Sequence, residues 1–95
     1  MNQLVIDAQI SSVATLRYTP AGIPVLGLTL THSSEQWEAE MLRSVDCTLN
    51  ALILGSTALQ KVSVGQRFRI TGFLAPQSLK IKRLVLHVQS MKSIF

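Results

Sequence analysis

Tyr18-Thr19-Pro20-Ala21-Gly22-Ile23-Pro24-Val25-Leu26-Gly27-Leu28-Thr29-Leu30-Thr31-His32 is the stretch that decides the fold. Its first seven residues hold two prolines and a glycine. Proline fixes φ and glycine permits φ > 0, so the chain turns here. From Val25 the pattern changes to strict alternation. Leu26, Leu28 and Leu30 share one face, and Val25, Gly27, Thr29 and Thr31 share the other. That is the period of a half-buried strand, not of a helix.

The same period recurs on both sides. Upstream, Leu4, Ile6, Ala8 and Ile10 alternate with the mixed set Val5, Asp7 and Gln9, giving a long first strand. Downstream, Ser33 to Glu40 is polar and acidic around Trp37 and reads as a loop. Met41 to Leu49 follows as a third strand with Val45, Cys47 and Leu49 inward. Ala51 to Val62 is the one candidate helix, but Gly55, Ser56 and Thr57 interrupt it and leave one or two turns. A fourth strand spans Gln66 to Leu74, with Phe68, Ile70 and Leu74 inward and Arg67, Arg69 and Thr71 outward. Gly72 within it marks a bulge or bend. A fifth strand runs from about Ile81 to Ile94. The whole is one domain, residues 1–95. Five strands with at most a short helical turn between the third and fourth predict an all-β, five-stranded Greek-key barrel of the OB-fold type.

Charge is distributed unevenly along the chain. The net charge is +4, yet all five acids (Asp7, Glu35, Glu38, Glu40, Asp46) lie in the first half. Lys61, Arg67, Arg69, Lys80, Lys82, Arg83 and Lys92 follow with no acid among them. Such a surface attracts a polyanion, or serves only as a solvated face. Three cations within Lys80-Ile81-Lys82-Arg83 can track a phosphate backbone from the loop between the fourth and fifth strands. Arg17 and Tyr18 stand at the mouth of the first loop. The arginine can pair with phosphate, and the tyrosine either stacks on a base or braces the proline turn. Arg43, Arg67 and Arg69 extend the basic surface or lie on the barrel's back. Trp37 is either a stacking platform or a cap on one barrel end.

Other chemistries lack their signatures. His32, His87 and Cys47 do not show the close paired spacing of zinc ligands, and Cys47 alternates with core residues. There is no Gly-x-Ser-x-Gly elbow and no glycine-rich phosphate loop. The expectation is therefore a protein that is not an enzyme and needs neither metal nor cofactor. A single cysteine makes no intrachain disulfide, and no run of about 18 apolar residues is present to cross a membrane. The opening residues do not resemble a secretory signal, so the expected location is cytoplasmic.

Three segments carry a family resemblance. Arg17-Tyr18-Thr19-Pro20-Ala21-Gly22-Ile23-Pro24-Val25 resembles the first interstrand loop of the PriB family and of bacterial single-stranded DNA-binding proteins. Val64-Gly65-Gln66-Arg67-Phe68-Arg69-Ile70-Thr71-Gly72-Phe73-Leu74 resembles their fourth strand, and Leu84-Val85-Leu86-His87 the start of the PriB fifth strand. The resemblance implies a homodimer of OB folds that binds single-stranded DNA without base-specific chemistry in replication restart. It further implies contact with the PriA helicase and, in some members, with DnaT. Where the family can carry a stacking aromatic on the third strand, this chain has Asp46, which repels phosphate. That departure keeps a second reading open, a protein-interaction adaptor with weak nucleic-acid affinity.

Overall fold

The computed structural model describes residues 1–94. Six strands form one sheet: β1 (Leu4–Val13), β2 (Arg17–Tyr18), β3 (Pro24–Glu38), β4 (Met41–Leu54), β5 (Arg67–Pro76) and β6 (Leu84–Ser93). A single 3-10 turn, Ser56–Leu59, separates β4 from β5. The sheet order is β1-β5-β6-β4-β3-β2, and a further β1–β3 pairing joins its far parts. The five long strands thus close on themselves. All neighbours are antiparallel except β4 and β6, which pair in parallel through Ala51–Leu86, Leu52–His87 and Ile53–Val88. This is the five-stranded barrel expected of an OB fold, with β2 as a two-residue addition. No helix among the described residues is long and apolar enough to cross a membrane.

The barrel interior follows from alternation. Ala8 and Ile10 from β1, Leu26, Leu28 and Leu30 from β3, and Ala51 and Ile53 from β4 meet Ile70, Leu86 and Val88. Ala58 of the 3-10 turn packs against the same cluster. Leu30, Ile53 and Ile70 are wholly inaccessible to solvent.

Closure demands a tight approach at Gly72. A Cβ there would stand 2.0 Å from the His87 carbonyl oxygen, so only glycine fits. The β5–β6 register shifts between Thr71 and Gly72, whose partners are Ser90 and Val88. The bulge expected in the fourth strand is therefore present, with Gln89 on β6 as the extra residue.

Several expected boundaries move. Ser33 to Glu40 is not a loop: β3 continues to Glu38, and Ala39 and Glu40 alone make the turn into β4. Both have positive φ, 50° and 62°, the geometry of a two-residue hairpin turn that usually recruits Asn-Gly. Without that signature, an acidic stretch reads as loop. The third strand runs on to Leu54, so the candidate helix shrinks to four residues. The last strand starts at Leu84 and not at Ile81.

The β3–β4 pairing is uninterrupted from Val25–Leu54 to Glu38–Met41. Only its first half belongs to the barrel. Residues 33–46 project as a two-stranded arm and stretch the molecule to 50 × 32 × 22 Å. Cys47, expected in the core, sits where the arm leaves the barrel and is exposed. Trp37, one of whose expected roles was to cap the barrel, is 74% exposed near the arm's tip.

Candidate nucleic-acid interface

Cross-strand pairs assign residues to faces. Gly27–Leu52, Thr29–Asn50, Thr31–Thr48, Ser33–Asp46, Glu35–Ser44 and Trp37–Leu42 lie directly opposite one another along β3 and β4. Because side chains alternate, these pairs form the outer face of the barrel wall and its arm. Leu26, Leu28 and Leu30 occupy the opposite face.

A cleft of about 470 Å³ opens on that outer face. Its floor includes Gly27, Thr29, Asn50 and Leu52. One wall is the end of β1 and the first loop, with Ser12, Val13, Ala14 and Arg17. The other is the β5–β6 loop, with Gln77, Ser78 and Ile81. Each wall has a local reason for its shape. The first loop is folded by Gly22 N–H donating to the Thr19 carbonyl at 2.8 Å and Thr19 N–H donating to the Ile23 carbonyl at 2.9 Å. Gly22 takes φ 84° there, where a side chain would be strained. The far loop is closed by Gln77 N–H on the Arg83 carbonyl at 2.8 Å. Within it, Ile81 N–H donates to the Ser78 hydroxyl at 3.0 Å.

The expected site residues distribute as follows. Arg17 lines the cleft. Tyr18 follows it on β2, alternates to the other side, and is exposed. Lys80, Lys82 and Arg83 are exposed on the loop that makes the opposite wall, though they do not line the cleft itself. Arg43 is engaged: its guanidinium pairs with the Glu38 carboxylate on the arm. Trp37 shares the cleft's face eight residues beyond Thr29, roughly 27 Å along an extended strand. Asp46 lies between them and accepts a hydrogen bond from the Ser33 hydroxyl.

Arg69 and Arg67 diverge in role. Arg69 grips Asp7 through Nε at 2.7 Å and a terminal nitrogen at 2.9 Å. The Arg69 hydrogen bond and charge hold the Asp7 carboxyl below its ordinary range. Arg69 is raised by the same contact. Arg67 remains exposed. Before Gln9 the backbone of β1 pairs only with β5, and a side chain replaces the absent β3 backbone partner. His32 donates from Nδ1 to the Asp7 carbonyl at 2.6 Å, and its Nε2 lies 2.7 Å from the Ser34 hydroxyl. His32 and Cys47 face each other across β3 and β4, while His87 is on β6. Among the described residues no group of three His, Cys, Asp or Glu side chains is placed to hold a metal.

The sequence did not point to Asn50 or Gly27 as site residues. They belong to a face defined only once the register of β3 and β4 is known.

Comparison with known proteins bears on the fold and the family. The family described as "another single-strand binding protein family" matches residues 2–90. The replication restart protein PriB of Bordetella pertussis is 38% identical over 96 residues, covering 99% of this chain and 90% of that protein. The solved structure of PriB from Ralstonia solanacearum superposes with a TM-score of 0.86 at 30% identity, covering 98% of this chain and 97% of that one. The single-stranded DNA binding protein of Thermus aquaticus, at 19% identity and TM-score 0.80, covers 100% of this chain and 51% of that one, and shares the fold. With its full length matched by sequence and by shape, the chain belongs to the PriB replication restart proteins of the single-strand binding family.

Proposed function

We propose that the protein binds single-stranded DNA across the outer face of β3 and β4 during replication restart. One observation carries this reading. The first loop, bearing Arg17, and the loop bearing Lys80, Lys82 and Arg83 wall a single cleft on the face that also presents Trp37. An OB fold uses these two loops to flank a polynucleotide groove. Cations on the rim neutralise phosphates and release counterions. Trp37 supplies the stacking surface that Asp46 denies to the middle of the face, at about 1–3 kcal/mol per base. The protein acts in the cytoplasm as a homodimer, and its partner is the PriA helicase, joined in some members of the family by DnaT.

The acidic arm favours a second reading. Residues 33–46 carry Glu35, Glu38, Glu40 and Asp46 against Arg43 alone, which suits a protein-interaction adaptor better than a phosphate track. Fluorescence anisotropy with labelled oligonucleotides at several salt concentrations separates the two. About four neutralised phosphates give a slope of log K on log salt near −3, from about −0.7 per contact. Replacing Lys82 and Arg83 by alanine makes the slope shallower by about 1.4. A salt-independent signal, or no binding, sinks the DNA-binding reading and leaves the adaptor.

A further inference from the structure

Two apolar surfaces of the molecule carry opposite charge. At the arm's tip, Trp37 and Leu42 lie side by side across β3 and β4 on the cleft's face, 74% and 51% exposed. Glu35 shares that face and Glu40 stands in the turn beyond. Both are exposed, and neither joins an ion pair among the described residues. The second surface is the cleft, where Val13, Leu52 and Ile81 give an apolar lining without an aromatic ring. Its far wall runs on into Leu79, 93% exposed, and the unpaired cations Lys80, Lys82 and Arg83. At about 470 Å³ the cleft falls among pockets that enclose a small organic group, roughly 300–1,000 Å³. One indole fits. A chain cannot seat its own tip there, because the unbroken β3–β4 register keeps the two roughly 27 Å apart.

We propose that the arm tip docks in the cleft of a second copy of this chain. Trp37 and Leu42 meet the apolar lining, and Glu35 and Glu40 meet Lys80, Lys82 and Arg83. Tip and cleft face the same way, so a copy turned end for end and laid face to face brings each tip over the other's cleft. One two-fold axis satisfies both contacts at once, the closed form that self-complementary surfaces favour. Opposite charge on the two surfaces steers the encounter. The axis passes by Ser33 and Asp46, midway between Thr29 and Trp37, and turns the two Asp46 carboxylates toward each other. Their repulsion keeps the pairing weak and reversible. The same cleft and indole serve single-stranded DNA in the reading above, so strand and second copy exclude each other. That competition rests on the DNA reading; the pairing itself does not.

The test is sedimentation of the full chain without DNA, over a range of protein concentrations. At low salt the mean mass rises with concentration above the mass that remains at about 1 M salt, where the screening length is about 3 Å. Glu35→Lys with Glu40→Lys gives a variant with cations on both surfaces. Lys80→Glu with Lys82→Glu and Arg83→Glu gives one with acids on both. All five positions are exposed, so the barrel folds in each. Either variant alone loses the rise. An equimolar mixture regains it, because both contacts again join opposite charges. Trp37→Ala weakens the pairing by about tenfold or more, as loss of a buried aromatic anchor does. Asp46→Asn tightens it several-fold, and a weakening there overturns the two-fold arrangement. A dT oligonucleotide disperses the complex; a complex that binds it and persists places the contact away from the cleft and overturns the inference. No rise at any concentration, or a rise that either charge-reversed variant keeps, overturns it equally. Failure to bind any oligonucleotide while the salt-sensitive pairing persists removes the DNA reading and leaves the pairing standing.

Discussion

The barrel wall and the arm are the same two strands in the same register, yet they are built for opposite surroundings. In residues 25–31 the inward positions of β3 are Leu26, Leu28 and Leu30, covered by β1, β5 and β6. Past that point the same parity yields His32, Ser34 and Gln36. The covering strands have turned away, and the side chains become polar where burial ends. Charge divides at the same boundary. The arm's one arginine against four acids leaves −3, while the remaining eight cations against Asp7 leave +7. Pairing geometry sets where a strand goes, and cover decides what it is made of.

The comparison predicts that a core cut and an arm cut separate stability from binding. Leu30→Ala removes a side chain with no solvent exposure and lowers unfolding free energy by about 2–5 kcal/mol in a denaturant titration. Trp37→Ala on the arm leaves that titration within about 0.5 kcal/mol. It costs about 1–3 kcal/mol of oligonucleotide affinity by anisotropy. A large loss of stability in Trp37→Ala would show that the arm packs on something and is not a free platform.

The turn offers a smaller and opposite effect. Ala39 and Glu40 hold positive φ without the residues that tolerate it. Ala39→Asn with Glu40→Gly supplies the preferred pair and stabilises the protein by about 1 kcal/mol in the same titration. Destabilisation by this exchange would mean that the turn differs from the one described.

The smallest effect belongs to the barrel's own ion pair, and it is confined to a pH range. The folded Asp7 carboxyl is held below its unfolded value by Arg69. Its contribution is therefore complete above the ordinary aspartate pKa of about 3.9 and fades as pH falls through the lower folded value. Asp7→Asn should lower the melting temperature slightly at neutral pH, and the gap should close in acid. A gap that widens on acidification would contradict the sign.

How far the sequence reached is clear from particular residues. Leu26, Leu28, Leu30, Ile70 and Leu86 announce the barrel because alternation is a local property, and Gly72 announces the bulge because only glycine tolerates that approach. The loops bearing Arg17 and Lys80 were legible as cation-bearing connections. The arm was not. Its turn has no glycine or asparagine, and its strands carry polar residues on both faces, so no periodicity separates them from loop. Cys47 went wrong for the related reason that a strand can outrun its core. Asn50 and Gly27 join Arg17 only through long-range pairing, which no local pattern encodes.

The unbroken register from Val25–Leu54 to Glu38–Met41 means that the arm's length comes in quanta. Lengthening each strand by one residue rotates the indole to the reverse side of the ribbon; lengthening each by two restores it. Tryptophan and cleft look the same way because an even number of steps lies between them. Any homologue that keeps this alignment must lose or gain its arm residues in matched doublets.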